Sequence, residues 1–175
     1  MALSAKDLRG KLVGVCVSGG LDSKTVSKRL VEEGVQVLAF SADLGQPDED
    51  DIQNVCAPWP SLLRPGAPPA PSAVAARPQV SKRMATCGVE TVIVDLKAEM
   101  AEGCFDVVRC QARYDGGYWN TTGIGRIVTC HGLVTAMQKR GVQVLSHGAT
   151  GRGNDQMRFE RYTNVPRAVD ARRRT

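Results

Sequence analysis

The residues with the clearest chemical potential are the six of Ser-Gly-Gly-Leu-Asp-Ser, from Ser18 to Ser23. They stand between a short apolar run, Lys11 to Val17, and a segment of helical character that Gly34 ends. Glycine lets the backbone turn tightly and bring its N–H groups close to an anion, and a helix N-terminus adds partial positive charge. We therefore expect this turn to bind a pyrophosphate, with the hydroxyls of Ser18 and Ser23 as further donors.

A purely structural role for the same turn stays open at this point. Glycine would then serve only the strand-to-helix geometry, and Asp22 or Ser23 would cap the helix. Two other nucleotide-binding patterns fit less well. The glycines at 148–153 are followed by Asn154, so no Walker loop is formed, and no GxGxxG follows a predicted strand.

Short apolar runs alternate with segments of helical spacing, and these elements must position the turn. The predicted strands are Lys11 to Val17, Val35 to Phe40, Thr91 to Val94 and Val142 to Ser146. The predicted helices are Asp22 to Glu33, Met100 to Gln111 and Gly123 to Arg140, and the acidic run Asp48 to Asp51 suits the first turn of another helix better than a metal cluster. This alternation predicts an α/β fold, a Rossmann-like parallel sheet with helices on both faces.

One segment, Cys56 to Val80, does not follow this alternation, because it holds seven of the nine prolines. Proline removes a backbone donor and breaks helices. If the segment were deleted, Val55 would join Ser81 within one helical pattern. We interpret it as a flexible Pro/Ala-rich insertion without chemistry.

Composition indicates one globular domain, with 42% hydrophobic and 23% charged residues among 175. The net charge of +5 comes largely from four arginines between Arg167 and Arg174, and a solvated tail explains them better than a nucleic-acid surface. No apolar run has the length of a signal peptide or a membrane span. Six cysteines without a CxxC pair indicate reduced thiols, so we expect a soluble cytoplasmic protein without membrane or nucleic-acid partners.

The pattern SGGxD[ST] resembles the signature of the PP-loop ATP pyrophosphatases, which split ATP between the α and β phosphates. Three further blocks, Phe40 to Pro47, Tyr118 to Arg126 and Gly148 to Phe159, follow in order. Together the four blocks resemble argininosuccinate synthase, from Lys11 to about Val165 apart from the insertion. The resemblance implies an adenine nucleotide alpha hydrolase-like fold of PP-loop type. It also implies a ligase of arginine biosynthesis and the urea cycle that couples citrulline to L-aspartate, consuming ATP and yielding AMP and pyrophosphate.

The resemblance carries ligand roles onto individual positions. ATP contacts are implied for Cys16, Val17, Ser18, Gly19, Gly20, Leu21, Asp22, Ser23, Lys24, Ala42, Gly148 and Thr150. Aspartate contacts are implied for Thr150, Asn154 and Asp155, and citrulline contacts for Tyr118, Asn154 and Arg158. Magnesium would bridge the leaving pyrophosphate, and Asp22 is the candidate that binds it, directly or through water, as the one catalytic side chain.

The chemistry of these side chains agrees with amino-acid substrates, because a carboxylate needs a cation or hydroxyl and an ammonium needs a carboxylate. Tyr118 could equally be a loop aromatic that packs on the core. Arg126 starts a helix, where a cation opposes the helix dipole, so a partner anion is expected. His131 and His147 are each alone and are expected to be structural.

The domain organisation that follows is a nucleotide-binding domain at 1–165, interrupted at 56–80, and an unrelated Arg-rich tail at 166–175. The family continues through a second, synthetase domain and a C-terminal arm, where most citrulline contacts and the contacts of a homotetramer are expected, so we interpret the chain as a truncated form. Lys24 also departs from the small hydroxyl residue of many members. Two alternatives stay open: another PP-loop adenylating synthetase, and a non-catalytic nucleotide-binding fragment.

Overall fold

The structure of the protein is a computed structural model whose described residues are 5–46, 78–114, 117–149, 151 and 153–163. Within these ranges a 3₁₀ helix, Ala5–Leu8, precedes the sheet. The strands are β1 (Leu12–Cys16), β2 (Gln36–Asp43), β3 (Glu90–Asp95) and β4 (Val144–His147). The helices are α1 (Leu21–Glu32), α2 (Pro78–Ala85), α3 (Lys97–Arg109), α4 (Thr121–Lys139) and α5 (Asn154–Thr163).

The four strands form one parallel sheet in the order β3-β2-β1-β4. Strand β1 lies in the middle and is buried from Val13 to Val15, as expected for a parallel strand that is covered on both faces. Its pairing aligns Val15 with Ala39 of β2 on one side and with Ser146 of β4 on the other. The predicted parallel sheet is confirmed.

The two faces of the sheet carry separate apolar clusters because side chains alternate along a strand. On one face Val15 packs with Leu30 of α1 and Met84 of α2. On the other face Phe40 packs with Leu133 of α4, and both are almost fully buried. Truncating a buried phenylalanine to alanine typically costs about 3–5 kcal/mol. Helices therefore cover both faces, which confirms the predicted fold class.

Helix α4 approaches its neighbours closely where they carry glycine. A Cβ built on Gly14 of β1 would lie 2.8 Å from the sulfur of Met137. A Cβ on Gly103 of α3 would lie 2.6 Å from Cγ1 of Ile124. These contacts hold α4 between the sheet and α3, and they fix the position of the N-terminal half of α4 beside the carboxyl edge of the sheet.

The predicted helix ends agree with the structure at two glycines. Gly34 after α1 and Gly141 after α4 have φ of +78° and +71°, values that L side chains rarely adopt. The predicted strands and helices agree with the observed ones within a few residues at each end. Two differences are that β2 continues to Asp43 and that α5 was not predicted.

The carboxyl end of the predicted insertion differs from expectation. Helix α2 begins at Pro78, a residue that suits the first turn of a helix, and Val80 is only 3% exposed in the core cluster. The last three residues of the segment therefore belong to the fold. The rest of the segment, the acidic run at 48–51 and the tail at 166–175 lie outside the described residues. Among the described helices, none has the length and apolar character needed to cross a membrane.

Candidate functional site

Residues that follow three strands meet at the carboxyl edge of the sheet. The chain runs from β1 to β2 and β3 on one side and then returns to β4 on the other, so the topology switches direction between β1 and β4. Open α/β sheets bind ligands in the crevice at such a point. A cavity of about 290 Å³ lies there, lined by Ser18 and Gly20 after β1, Ala42 in β2 and Gly148 after β4.

A larger cavity, of about 480 Å³, lies between α3 and α4 and shares no lining residue with the first. Four carboxylates line it, from Asp95, Glu99, Glu102 and Asp106. Their negative charge opposes the binding of phosphate groups. The smaller cavity, next to the glycine turn, is therefore the candidate site.

The two glycines of the turn serve different needs. Gly19 has a φ of +82°, so its backbone conformation itself favours glycine. Gly20 has φ −73° and ψ 172°, which any residue can adopt. A Cβ built on Gly20 meets only Oγ of Ser18, at 3.5 Å. Gly20 thus keeps the cavity wall free of a side chain although the fold does not require it to.

The first turn of α1 is braced by its own hydrogen bonds. Ser23, which is buried, donates its hydroxyl to the carbonyl oxygen of Gly20 at 2.9 Å. The N–H of Lys24 donates to the same oxygen at 3.3 Å. Because its hydroxyl proton is used in this bond, Ser23 fixes the helix N-terminus beside the cavity and does not direct the proton into it. The first N–H groups of a helix lack partners within it and favour an anion.

The loop after β4 lies against the start of α1. A Cβ on Gly148 would lie 3.5 Å from Cβ of Asp22 and 3.6 Å from the backbone nitrogen of Ser23. Both Gly148 and Asp22 line the cavity. The absence of a side chain at Gly148 brings the β4 loop close to the helix N-terminus, so the two segments form one continuous wall.

His147, the last residue of β4, holds this loop in place. Its Nδ1 accepts a hydrogen bond from the N–H of Ala149 at 3.3 Å, and its ring stacks on Phe159 of α5 with centroids 5.1 Å apart. Burial lowers the pKa of His147, although the carboxylate of Glu160 acts in the opposite direction. A neutral imidazole can accept this hydrogen bond, whereas an imidazolium cannot.

Three charged side chains form a connected group beside the cavity. Arg126 of α4 donates from Nη2 to Oδ2 of Asp155 at 2.8 Å, and Arg158 donates from Nη1 to Oδ1 at 3.1 Å. The pKa of Asp155 is held below its ordinary value, first by the hydrogen bond from Arg126. Asp155 is the partner anion that the position of Arg126 led us to expect.

Tyr118 lies near this group and is 55% exposed, so it does not pack on the core. Its hydroxyl lies 2.8 Å from Oγ1 of Thr122, and its ring leans on Tyr114 with centroids 5.8 Å apart. Hydrogen bonding to Thr122 and then to Thr121 lowers the pKa of Tyr118, and the positive charge of Arg158 adds to this. Arg158 is thus close enough to influence the hydroxyl of Tyr118 electrostatically.

The end of β2 forms a further part of the wall. Asp43 is buried and accepts hydrogen bonds from Nζ of Lys97 at 2.9 Å and from the N–H of Gly45 at 3.0 Å. This fixes the loop that places Leu44 and Gln46 along the cavity beside Ala42.

Cys16 lines the cavity from the end of β1. Burial raises the pKa of its thiol to about 12, with a further contribution from the nearby Cys130. The thiolate is the nucleophilic form of cysteine, so Cys16 is not suited to covalent catalysis near neutral pH.

Comparison with known proteins agrees with this geometry. Residues 75–169, more than half of the chain, match the family described as "Arginosuccinate synthase N-terminal HUP domain". The chain belongs to the argininosuccinate synthase family. It is 35% identical over 152 residues to the argininosuccinate synthase of Syntrophobacter fumaroxidans and 36% identical over 152 residues to that of Erythrobacter litoralis. It is 30% identical over 154 residues to the argininosuccinate synthase of Aquifex aeolicus.

These alignments cover most of this chain but a smaller part of its relatives. They span 86% of the chain and 31% of the Syntrophobacter protein, 86% and 32% for Erythrobacter, and 87% and 32% for Aquifex. The chain therefore spans about a third of the length of these argininosuccinate synthases.

Most residues predicted from the resemblance to argininosuccinate synthase lie around the one cavity. The predicted residues that line it are Cys16, Val17, Ser18, Gly20, Leu21, Asp22, Ser23, Ala42, Gly148 and Asp155. Those that are described but do not line it are Gly19, Lys24, Tyr118, Asn154 and Arg158. Thr150 lies outside the described residues.

Other residues along the cavity were not predicted as part of the site. They are Leu44, Gln46, Arg126, Thr129, Leu133, His147, Ala149 and Phe159. A sequence signal existed for Arg126, because the predicted helix from Gly123 placed this cation in a first turn, where it needs an anion nearby. In the structure α4 begins at Thr121, so Arg126 lies in the second turn. His147 directly precedes the predicted Gly148, but a lone histidine carries no signal of its own.

Proposed function

We propose that this chain binds ATP at the glycine turn, as the nucleotide-binding part of a cytoplasmic argininosuccinate synthase of arginine biosynthesis. The observation that carries the proposal is Gly20. Its backbone conformation does not need glycine, a side chain there would meet only Ser18, and the space it leaves opens on a cavity at the N-terminus of α1. Phosphate groups need such a close approach to backbone N–H groups.

The reaction that the family name implies is the ligation of citrulline and L-aspartate to argininosuccinate. In the proposed sequence the ureido oxygen of citrulline attacks the α-phosphate of ATP and pyrophosphate leaves, which gives a citrullyl-adenylate. The amine of aspartate then attacks the adenylated carbon, and AMP leaves. The raised pKa of Cys16 argues against a thiolate in this site, so orientation of the substrates and neutralisation of charge would supply the catalysis.

The residues around the cavity fit a magnesium ion that is held mainly by the substrate. No group of three or more His, Cys, Asp or Glu side chains suited to a metal occurs among the described residues. Asp22 gives one carboxylate beside the glycine turn. Magnesium usually takes one or two carboxylates together with phosphate oxygens and waters, so Asp22 would hold it, directly or through water. Such an ion would neutralise the charge that develops on the leaving pyrophosphate.

The charged group beside the cavity suits amino-acid substrates. We propose that Asp155, together with Asn154 and Thr150, binds aspartate, and that Tyr118, Asn154 and Arg158 bind citrulline. In this arrangement a carboxylate of the protein would pair with a substrate ammonium, and an arginine of the protein would pair with a substrate carboxylate. In the whole enzyme, a second domain and the homotetramer contacts would complete the site, with residues 1–165 as the nucleotide-binding domain.

The test of nucleotide binding is the substitution Gly20→Val. We expect the variant to lose ATP affinity by at least about a hundredfold, because the side chain would fill the space next to the helix N-terminus. Its melting temperature should fall by only a few degrees, because valine is a poorer N-cap for α1 than glycine while the Cβ would meet only Oγ of Ser18. Titration calorimetry with ATP and magnesium measures the first quantity and thermal unfolding the second.

The control is Ala101→Val, which adds bulk on an exposed position of α3 away from the cavity. It should bind ATP like the original chain. Unchanged affinity in Gly20→Val would refute the phosphate assignment, and failure of the original chain to bind ATP would refute the proposed function.

A further inference from the structure

Arg126 is not among the residues to which the family resemblance assigns a ligand. It nevertheless lines the candidate cavity, and it is the one lysine or arginine among the described lining residues. Its Nη2 donates to Asp155 across 29 positions of sequence, which links α4 to α5. Arg158, the second partner of Asp155, lies three residues along the same helix as Asp155. Arg126 is therefore the cation that ties Asp155 to another helix.

The orientation of the Arg126 guanidinium is set by its surroundings. Nε is buried and has no hydrogen-bond partner in the described structure, whereas Nη2 contacts the carboxylate. The side chain is 37% exposed and that of Asp155 is 40% exposed. The ion pair is thus partly exposed, and both of its residues line the cavity that a ligand would enter.

The sequence of charges across the group is positive, negative, positive. An acidic amino acid carries the opposite arrangement, with one ammonium between two carboxylates, and its net charge is negative. Asp155 uses one lone pair on each oxygen for the arginines, and a carboxylate has about four such sites, so it can still accept from an ammonium. The two arginines add a net positive charge that matches the dicarboxylic acid.

We propose that Arg126 is a specificity residue that positions Asp155 for a substrate ammonium and selects a dicarboxylic over an amide-bearing amino acid. The proposal rests on the proposed function, in which this site takes aspartate. The lowered pKa of Asp155, caused first by the hydrogen bond from Arg126, agrees with a carboxylate that stays ionised for this task.

The experiment measures the affinities of the chain for L-aspartate and L-asparagine in the presence of ATP and magnesium, by NMR titration at low salt. The two ligands share the ammonium and the α-carboxylate and differ in one negative charge. In Arg126→Met we expect both ligands to bind more weakly, because Asp155 is no longer held by Arg126 for the ammonium that they share. Aspartate should lose about tenfold more affinity than asparagine, because it also loses the attraction between its second carboxylate and the arginine charge. Arg126→Lys, which keeps the charge but not the planar fork, should recover part of the preference.

The matched control is Arg109→Met, which removes the same charge from an exposed arginine of α3 that pairs with Asp106 at 3.3 Å. Its preference for aspartate should equal that of the original chain. Equal losses for both ligands in Arg126→Met would overturn the proposal, because Arg126 would then act only on the ammonium that both ligands share and would not select between them. A loss of ATP affinity with the aspartate preference intact would also overturn it, because Arg126 would then contact phosphate.

Failure of the inference and failure of the proposed function can be told apart. If the original chain binds ATP but shows no preference for aspartate over asparagine, the specificity role is wrong and the nucleotide assignment stands. If it does not bind ATP at all, the proposed function is wrong.

Discussion

The cavity has two sides that are built in different ways. The glycine wall, formed by residues 18–23 and Gly148, consists largely of backbone placed by strand ends and one helix N-terminus. The charged cluster, formed by Arg126, Asp155 and Arg158, consists of side chains from two helices joined by ion pairs. The first is determined once the sheet forms, whereas the second also requires α4 and α5 to be correctly placed. Substitutions in the glycine wall and in the charged cluster should therefore have different effects.

The two sides should differ most in what they can do alone. We expect the glycine wall to bind ATP, whereas the residues proposed for the amino-acid substrates do not suffice to make argininosuccinate at an enzymatic rate. The residues proposed for citrulline are Tyr118, Asn154 and Arg158, which are too few to fix its carboxylate, ammonium and ureido groups together. Two missing charge-assisted contacts at about 1.5–3 kcal/mol each would cost about two to four powers of ten. Water would also reach the adenylate.

The assay incubates the pure chain with ATP, magnesium, citrulline and labelled aspartate, and it measures labelled product and released pyrophosphate. We expect ATP binding without multiple turnovers. Sustained turnover at roughly one per second or faster, an ordinary enzyme rate, would show that this side of the site is already complete.

The next largest effect separates the two glycines within the glycine wall. Gly19→Ala should destabilise the fold by about 1–2 kcal/mol, because alanine resists a φ of +82°. Its Cβ would also lie 3.4 Å from Val80. Gly20→Ala, at the N-cap of α1, should cost less than about 1 kcal/mol and should mainly weaken ATP binding.

Chemical denaturation of both variants measures the free energies of unfolding, and calorimetry measures their ATP affinities. Equal destabilisation by the two substitutions would contradict the distinction. So would a Gly20→Ala variant with full ATP affinity and reduced stability.

The same contrast explains which parts could be predicted from sequence. The strands and α1 follow local patterns, and the glycine turn is contiguous from Ser18 to Ser23, so its elements and its place in the sheet could be predicted. The contact between Arg126 and Asp155 joins residues 29 apart, and no local pattern specifies it. The sequence placed Arg126 at the start of a predicted helix, which indicated only that some anion would be needed.

Two elements were difficult for physical reasons. Helix α5 is mostly polar, has no fully buried residue and leaves Met157 68% exposed, so few apolar residues mark it as a helix in the sequence. Helix α2 begins inside a proline-dense stretch, and the prolines obscured the apolar spacing of Val80 and Met84. In both cases tertiary contacts, with α4 or with the sheet, support a helix that the local sequence indicates weakly.

The smallest expected effect is a difference in acid sensitivity, which would sharpen the comparison between the two sides. Burial lowers the pKa of His147 below its ordinary 6.5, so the folded state binds this proton less readily than the unfolded chain. Stability should therefore fall as the pH drops below about 6.5 and continue to fall until His147 is protonated in the folded state. Protonation would also remove the acceptor for the N–H of Ala149 and loosen the loop at Gly148.

Asp155 behaves differently, because its pKa lies below 3.8 and its contribution to stability is lost only as the pH falls below that value. Between pH 7.5 and 5.5 the glycine wall should loosen while the charged cluster keeps its ion pairs. Hydrogen exchange at Ala149 and the melting temperature measure the loosening of the glycine wall. The NMR resonance of the Asp155 carboxyl reports whether the charged cluster keeps its ion pairs.

The variant His147→Phe keeps an aromatic ring against Phe159 but cannot titrate, so its melting temperature should depend less on pH over this range. If the original chain and this variant lose stability equally between pH 7.5 and 5.5, His147 is not the group that couples the β4 loop to pH.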